Sequence, residues 1–240
     1  MRDATLLPEL ISLAADRDSA APALTYGNMT LNYGELQVAV TSFSSGLLSL
    51  GIQRGERVAI YLEKRFETVI ASFGAPAAGA VFVPLNPLLK PEQVGYIMRD
   101  CNVRVLVTSR ERLALLSDTL TTCHDLRHVI LVDSDAAAPN FDPIGVYSWT
   151  QLVENEQRNG HRLIDTDVLG ILYTSGSTGR PKGVVLSHRN MVAGAKSVSS
   201  YLQNHTGDTL LAALPLSFDA GFSQLTTAFH VGARVVLLNY

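Results

Sequence analysis

Short apolar runs recur along this chain, separated by stretches whose apolar residues fall at helical spacing. "RVAIYLE" begins at Arg57, "VFVPLNP" at Val81, "VRVLVTS" at Val103 and "HVILVDS" at His128. Each has the length and the Val/Ile/Leu/Phe content of a strand buried on both faces. "FETVIASFGAPAAGA", "PEQVGYIMRD" and "RERLALLSDTLTTC" lie between them and read as helices, the second with Pro91 at its start. Strands that alternate with helices of about ten or more residues imply βαβ units. The pattern therefore predicts an α/β fold of mostly parallel sheets flanked by helices.

The ends of the chain extend the pattern. "ALTYGNMTLNY" (Ala23–Tyr33) alternates around Gly27-Asn28 and predicts a β-hairpin. "GELQVAVTSFSSGLLSLGI" predicts a helix closed by Gly51. Asp133–Gly145, rich in Asp, Ala and Pro, predicts an exposed loop and marks a candidate internal break near 134–146. After it come a short polar helix in "SWTQLVENEQRNG" and the strands "DVLGILYT" and "GVVLSH". A helix capped by Ser187, the strand "TLLAALPL", the helix "AGFSQLTTAFHVG" and the strand "ARVVLLN" complete the chain. Pro76 sits inside a helical pattern, where it costs about 3 kcal/mol, so a kink or an end near Gly74 is expected.

Composition narrows the function classes. The 240 residues are 47% hydrophobic and 17% charged, with a net charge of −3 and no run of Lys or Arg. That argues against a nucleic-acid surface or a polybasic membrane patch. No apolar run reaches the roughly 18 residues that span a bilayer. The N-terminus reads as an amphipathic helix, interrupted by Asp3, Pro8 and Glu9. Two cysteines, Cys101 and Cys123, fit a reduced, cytoplasmic setting.

The chemistry concentrates in "YTSGSTGRPKG", Tyr173–Gly183. Gly176 and Gly179 let the backbone approach an anion closely. Thr174, Ser175, Ser177 and Thr178 offer hydroxyls, and Lys182 offers a point charge. Backbone N–H groups in such a turn form an anion nest, and the natural ligand is a polyphosphate. The loop differs from the Walker P-loop: Pro181 precedes the lysine and Gly183 follows it, leaving no hydroxyl there for Mg²⁺.

"LYTSGSTGRPKGVVLSH" resembles the phosphate-loop signature of the adenylate-forming enzymes, the AMP-binding superfamily of acyl- and aryl-CoA ligases, luciferases and peptide-synthetase adenylation domains. "LNYGEL", "GAVFVPLNP" and "LPLSFDAGFSQL" resemble three further motifs of that family, in order, and the likeness covers essentially the whole chain. The resemblance implies ATP-dependent activation of a carboxylic acid as acyl-adenylate, with capture by the thiol of CoA or of an acyl carrier protein. It implies that Thr174, Ser175, Gly176, Ser177, Thr178, Gly179 and Lys182 hold ATP phosphates, and that Mg²⁺ is required. It places Phe218, Asp219 and Gly221 near the acid pocket. In amino-acid adenylation domains an "FDxS" aspartate holds the substrate amino group; here Gly221 stands in the serine position, which favours a simple acid. "LPLSFDAGFSQLTTAF" also resembles the acyl-CoA ligases linked to exosortase systems.

Family members run to about twice this length, with a ribose-binding aspartate and a C-terminal catalytic lysine further on. The resemblance thus implies that residues 1–240 are the N-terminal part of the large domain, inactive alone, with no catalytic residue assigned within them. Thr206-Gly207-Asp208 spells the ribose motif but precedes its place and reads as a turn. Asp219 has a plainer role open to it, capping the following helix. Cys123, His124 and His128 lie close in sequence without a fourth metal ligand, and His188 reads as a first-turn residue rather than a base. A non-catalytic nucleotide- or partner-binding module stays open beside the ligase reading.

Overall fold

The computed structural model describes residues 3–133, 141–154, 156–174 and 180–239. The chain opens with helix α1 (Glu9–Arg17), followed by the hairpin β1 (Pro22–Tyr26) and β2 (Met29–Asn32). Gly27 takes φ +58° at its turn, as the Gly-Asn pair predicts. Helix α2 (Tyr33–Ser49) starts in a capping box. Glu35 N–H donates to Asn32 Oδ1, and Asn32 N–H donates to Glu35 Oε2, each at 2.8 Å. It ends where Gly51 turns to φ +80°.

The central segment then runs β3 (Arg57–Tyr61), α3 (Phe66–Ala77), β4 (Val81–Pro84), α4 (Pro91–Asp100), β5 (Val103–Thr108), α5 (Arg110–Leu120), β6 (His128–Leu131), β7 (Gly145–Ser148) and α6 (Trp149–Val153). After it come β8 (Val168–Thr174), β9 (Lys182–Ser187), α7 (His188–Tyr201), β10 (Thr209–Ala212), α8 (Asp219–Val231) and β11 (Arg234–Leu237). One sheet has the order β7-β6-β5-β3-β4-β8-β9 and is parallel except for the β8/β9 hairpin. The other has the order β10-β11-β1-β2, with β1 parallel to β11 and antiparallel to β2.

Alternation along the strands of the large sheet sorts its side chains into two cores. Val58, Ile60, Phe82, Val105, Val107 and Ile130 face one way, into a core shared with α2, α3, α8 and the second sheet. Ala59, Tyr61, Val83, Leu106, Val129 and Leu131 face the other way, toward α4 and α5. The layer between the sheets is pinned by Phe222 of α8. Its ring stacks on Phe82 at 4.8 Å and on Phe73 at 5.7 Å, and Phe73 meets Phe229 edge-on at 5.4 Å. All four rings are fully buried, and truncating a buried Phe to Ala typically costs about 3–5 kcal/mol.

Three expectations need correction. Strand β7 is one the sequence pattern does not show, because its residues are half-buried throughout. Helix α3 passes through Pro76 and ends one residue later, so the one i→i−4 bond that the missing N–H removes lies at the very end of the helix. His124 lies in a turn, and no cluster of three metal-ligating side chains occurs among the described residues. Asp219 makes no capping hydrogen bond; it sits in the first turn of α8, where its charge suits the helix dipole. The candidate break near 134–146 falls mostly outside the described residues. Among the described residues no helix is long and apolar enough to cross a membrane.

Candidate functional site

In an open α/β sheet the carboxyl ends of the strands make a ligand crevice where the flanking helices change sides. That change occurs at β3. Helix α3, which follows β3, packs into the core between the sheets, whereas α4 and α5, which follow the neighbouring strands β4 and β5, pack on the opposite face. Two clefts open beside this point. One, of about 160 Å³, is lined by Asn86, Gln93, Tyr173, Thr174, Pro181 and Phe218, among others. The other, of about 220 Å³, is largely apolar and runs between Leu62, Leu85 and Leu216 to Lys64 and Arg112. They share a wall of Pro84, Leu85, Asn86 and Ser217. Ser217 is buried, and its hydroxyl has no hydrogen-bond partner among the described residues.

The hydroxyl-rich loop joins β8 to β9, so it is a hairpin loop standing at the carboxyl end of β8. Ser175, Gly176, Ser177, Thr178 and Gly179 lie outside the described residues. The feet of the loop are described. Thr174 pairs with Lys182 and Tyr173 with Gly183 across the hairpin. Both Thr174 and Lys182 are exposed, which leaves the Lys182 ammonium accessible to a ligand. Gly183 has a steric reason beyond the turn chemistry. A Cβ there would lie 2.6 Å from Ile171 Cγ2 and 3.2 Å from the Tyr173 ring, so any larger residue would force these side chains to shift where β9 closes against β8.

Tyr173 is itself anchored. Its phenol donates to Asp100 Oδ2 at 2.5 Å, at the end of α4. Burial, together with this bond, pushes the phenol well above its ordinary pKa. Tyr96 of the same helix donates to the carbonyl of Pro181 at 3.5 Å.

The acid-pocket candidates separate. Phe218 is 40% exposed and lines the cleft beside the loop. Asp219 is exposed and lines neither of these clefts. Gly221 is buried, and a Cβ would meet the Pro215 carbonyl oxygen at 1.9 Å. A serine cannot stand there on this backbone, whatever the substrate. Thr206-Gly207-Asp208 is a turn, with the Asp208 carboxylate taking hydrogen bonds from Asn204 and from the His205 N–H. His188 is buried at the start of α7, where its Nδ1 accepts the Leu7 N–H at 3.0 Å.

Lys64 is a residue of the site that the sequence pattern does not single out. Its ammonium donates to the carbonyls of Ala212, Ala213 and Leu238 at 3.0, 2.7 and 2.6 Å, fastening the end of β3 to the ends of β10 and β11. Burial lowers its pKa. The available signal is a cation directly after a buried strand, at the end of the sheet where ligands bind.

A mostly parallel sheet flanked by helices, with two clefts at the carboxyl ends of its strands, makes this an α/β protein of the ligand-binding kind. Comparison with known proteins narrows the class. The profile of the family "AMP-binding enzyme" matches residues 12–239, and the chain belongs to that family. It is 32% identical over 210 residues to long chain acyl-CoA synthetase 6, peroxisomal, of Arabidopsis thaliana, covering 84% of this chain and 30% of that protein. It is 28% identical over 235 residues to tyrocidine synthase 3 of Brevibacillus parabrevis, covering 96% and 3%. The solved structure of the anthranilate CoA ligase AuaEII in complex with anthranoyl-AMP superposes with a TM-score of 0.89 at 25% identity, covering 97% of this chain and 45% of that one. The chain thus spans less than half the length of these relatives.

Proposed function

We propose that this chain supplies the phosphate-loop part of an AMP-forming ligase that activates a small carboxylic acid and passes it to a thiol. The observation that carries the reading is the loop at the carboxyl end of β8, with Thr174 and Lys182 paired at its mouth beside a cleft. A carboxylate oxygen of the acid attacks the α-phosphorus of ATP. The bond from that phosphorus to the bridging oxygen breaks, and pyrophosphate leaves with the electron pair. Charge builds on the departing phosphates, so oriented N–H, hydroxyl and ammonium donors are what the step needs. Thr174, Ser175, Gly176, Ser177, Thr178, Gly179 and Lys182 take that role. The thiolate of CoA or of a carrier protein then attacks the acyl carbonyl and AMP leaves.

Among the described residues lining the cleft there is no Asp or Glu. Mg²⁺ is commonly held by one or two carboxylates together with substrate phosphates, so its protein carboxylates would come from outside this lining. Phe218 forms part of the acid site, and the exposed Asp219 favours acids without an amino group. Membership of the exosortase-linked group rests on the run Leu214–Phe229 alone. The two buried free thiols, Cys101 and Cys123, support a reducing, cytoplasmic setting.

The test is acid-dependent exchange of labelled pyrophosphate into ATP by the full-length enzyme, across a panel of simple acids and amino acids. Lys182→Ala and Thr178→Ala should each lower exchange by about 10²–10³, the usual cost of one donor to developing charge. Undiminished exchange in both variants at matched stability would refute the assignment, and exchange with amino acids only would favour an adenylation domain instead.

A further inference from the structure

We infer that helix α4 is the mount of the phosphate loop, with Asp100 and Tyr96 acting as positioning residues for a bound polyphosphate. The inference rests on the phosphate reading above. Tyr96 and Asp100 are four residues apart and so share one face of α4. From that face one helix reaches both feet of the hairpin: Asp100 accepts from Tyr173, and Tyr96 donates to the Pro181 carbonyl. Each anchored residue directly precedes one member of the Thr174/Lys182 pair. Proline has no N–H, so the carbonyl is the only hydrogen-bonding group Pro181 offers. The other side of α4 is fixed, because Val94, Ile97 and Met98 are buried in the core beneath the large sheet.

The mount sets the distance between the two feet of the hairpin through a rigid element. Placement matters at this scale, since a misplacement of about 1 Å can cost about 10²-fold in a reaction. Asp100 acts here as an acceptor, not as a charge. A carboxylate acting through its charge alone would repel a phosphate, so removing it would tighten binding. Loss of the acceptor should do the opposite, and Asn, which keeps an acceptor oxygen, should preserve binding.

The experiment is an NMR titration of the 240-residue chain with MgATP, read at Thr174 and Lys182, with thermal midpoints recorded for every variant. Asp100→Ala and Tyr173→Phe should each weaken binding about three- to tenfold, the worth of one hydrogen bond, and the double variant no more than either alone. Asp100→Asn should stay within about twofold of wild type, and Tyr96→Phe should fall between. Leu120→Ala, which removes a buried side chain of α5, should lower the midpoint without changing affinity. Unchanged or tighter binding in both Asp100→Ala and Tyr173→Phe, with Lys182→Ala still weakened, would overturn the mount while leaving the phosphate reading intact. No response to MgATP in the wild type, or equal affinity in Lys182→Ala, would overturn the phosphate reading and the mount with it.

Discussion

Replacing His188 with Gln isolates one source of acid sensitivity in this fold. The ring is 1% exposed, and its Nδ1 takes the Leu7 N–H at 3.0 Å, which ties the segment before α1 to the first turn of α7. Burial lowers the imidazole pKa from 6.5 to about 4, against the opposing pull of Asp167, Glu9 and Asp165. Between those two pH values the unfolded chain holds a proton on this ring and the folded chain does not. The contribution is therefore complete above pH 6.5, falls as the pH falls toward 4, and changes no further below that. At about 1.36 kcal/mol per pH unit, the interval from 6.5 to 4 is worth about 3 kcal/mol. The assay is urea unfolding of wild type and His188→Gln at pH 7.5, 6.5, 5.5 and 4.5. The single tryptophan, Trp149, reports the transition, since it stacks on Phe43 in the core. At pH 7.5 the wild type should be the more stable by about 1–3 kcal/mol, because the buried Leu7 N–H loses a well-placed acceptor in the variant. That advantage should shrink by about 2–3 kcal/mol by pH 4.5. A gap that stays constant with pH would refute the reasoning, since other titrating groups cancel in the difference.

Other outcomes follow from single sites. In the full-length enzyme Asp219→Ala should leave the KM for simple acids and for ATP nearly unchanged, and a selective rise in the KM for an amino acid would reverse the substrate preference proposed here. Gly183→Ala should destabilise the chain by about 1–3 kcal/mol in chemical denaturation, because its new Cβ meets Ile171 and the Tyr173 ring; a neutral result would show that the hairpin gives way. The 240-residue chain should self-associate through β9, the edge of the large sheet, where Val184 and Val185 are 46% and 58% exposed. Sedimentation velocity should show association that Val185→Lys reduces, and a wild type that stays monomeric at high concentration would contradict it.

The parallel core was legible because β3, β4 and β5 are self-contained apolar runs, each followed by a helix long enough to cross back. The division into two sheets was not, because it depends on Leu24 pairing with Val235, some two hundred residues away, which no local pattern encodes. Strand β7 escaped for the opposite reason: it carries no alternation of buried and exposed residues to detect. The site followed the same divide. Hydroxyls, glycines and a lysine packed into eleven residues are the ground for proposing an anion loop, of which only the feet are described. The contacts that hold its feet, Tyr173 to Asp100 and Tyr96 to Pro181, join residues 73 and 85 positions apart, and only the folded chain brings them together. Gly183 and Gly221 stand out in the sequence only as departures from known motifs. Their neighbours, Ile171 with Tyr173 and the Pro215 carbonyl, give each a steric explanation.

The central claim is that polyphosphate sits on the loop between Thr174 and Lys182. The most direct measurement is a crystal structure of the chain grown with Mg²⁺ and a non-hydrolysable ATP analogue. The expected result places the β- and γ-phosphates within hydrogen-bond distance of the Thr174 hydroxyl and Lys182 Nζ, at the mouth of the cleft lined by Asn86 and Phe218. Phosphates bound elsewhere, with Lys182 left in solvent, would contradict it.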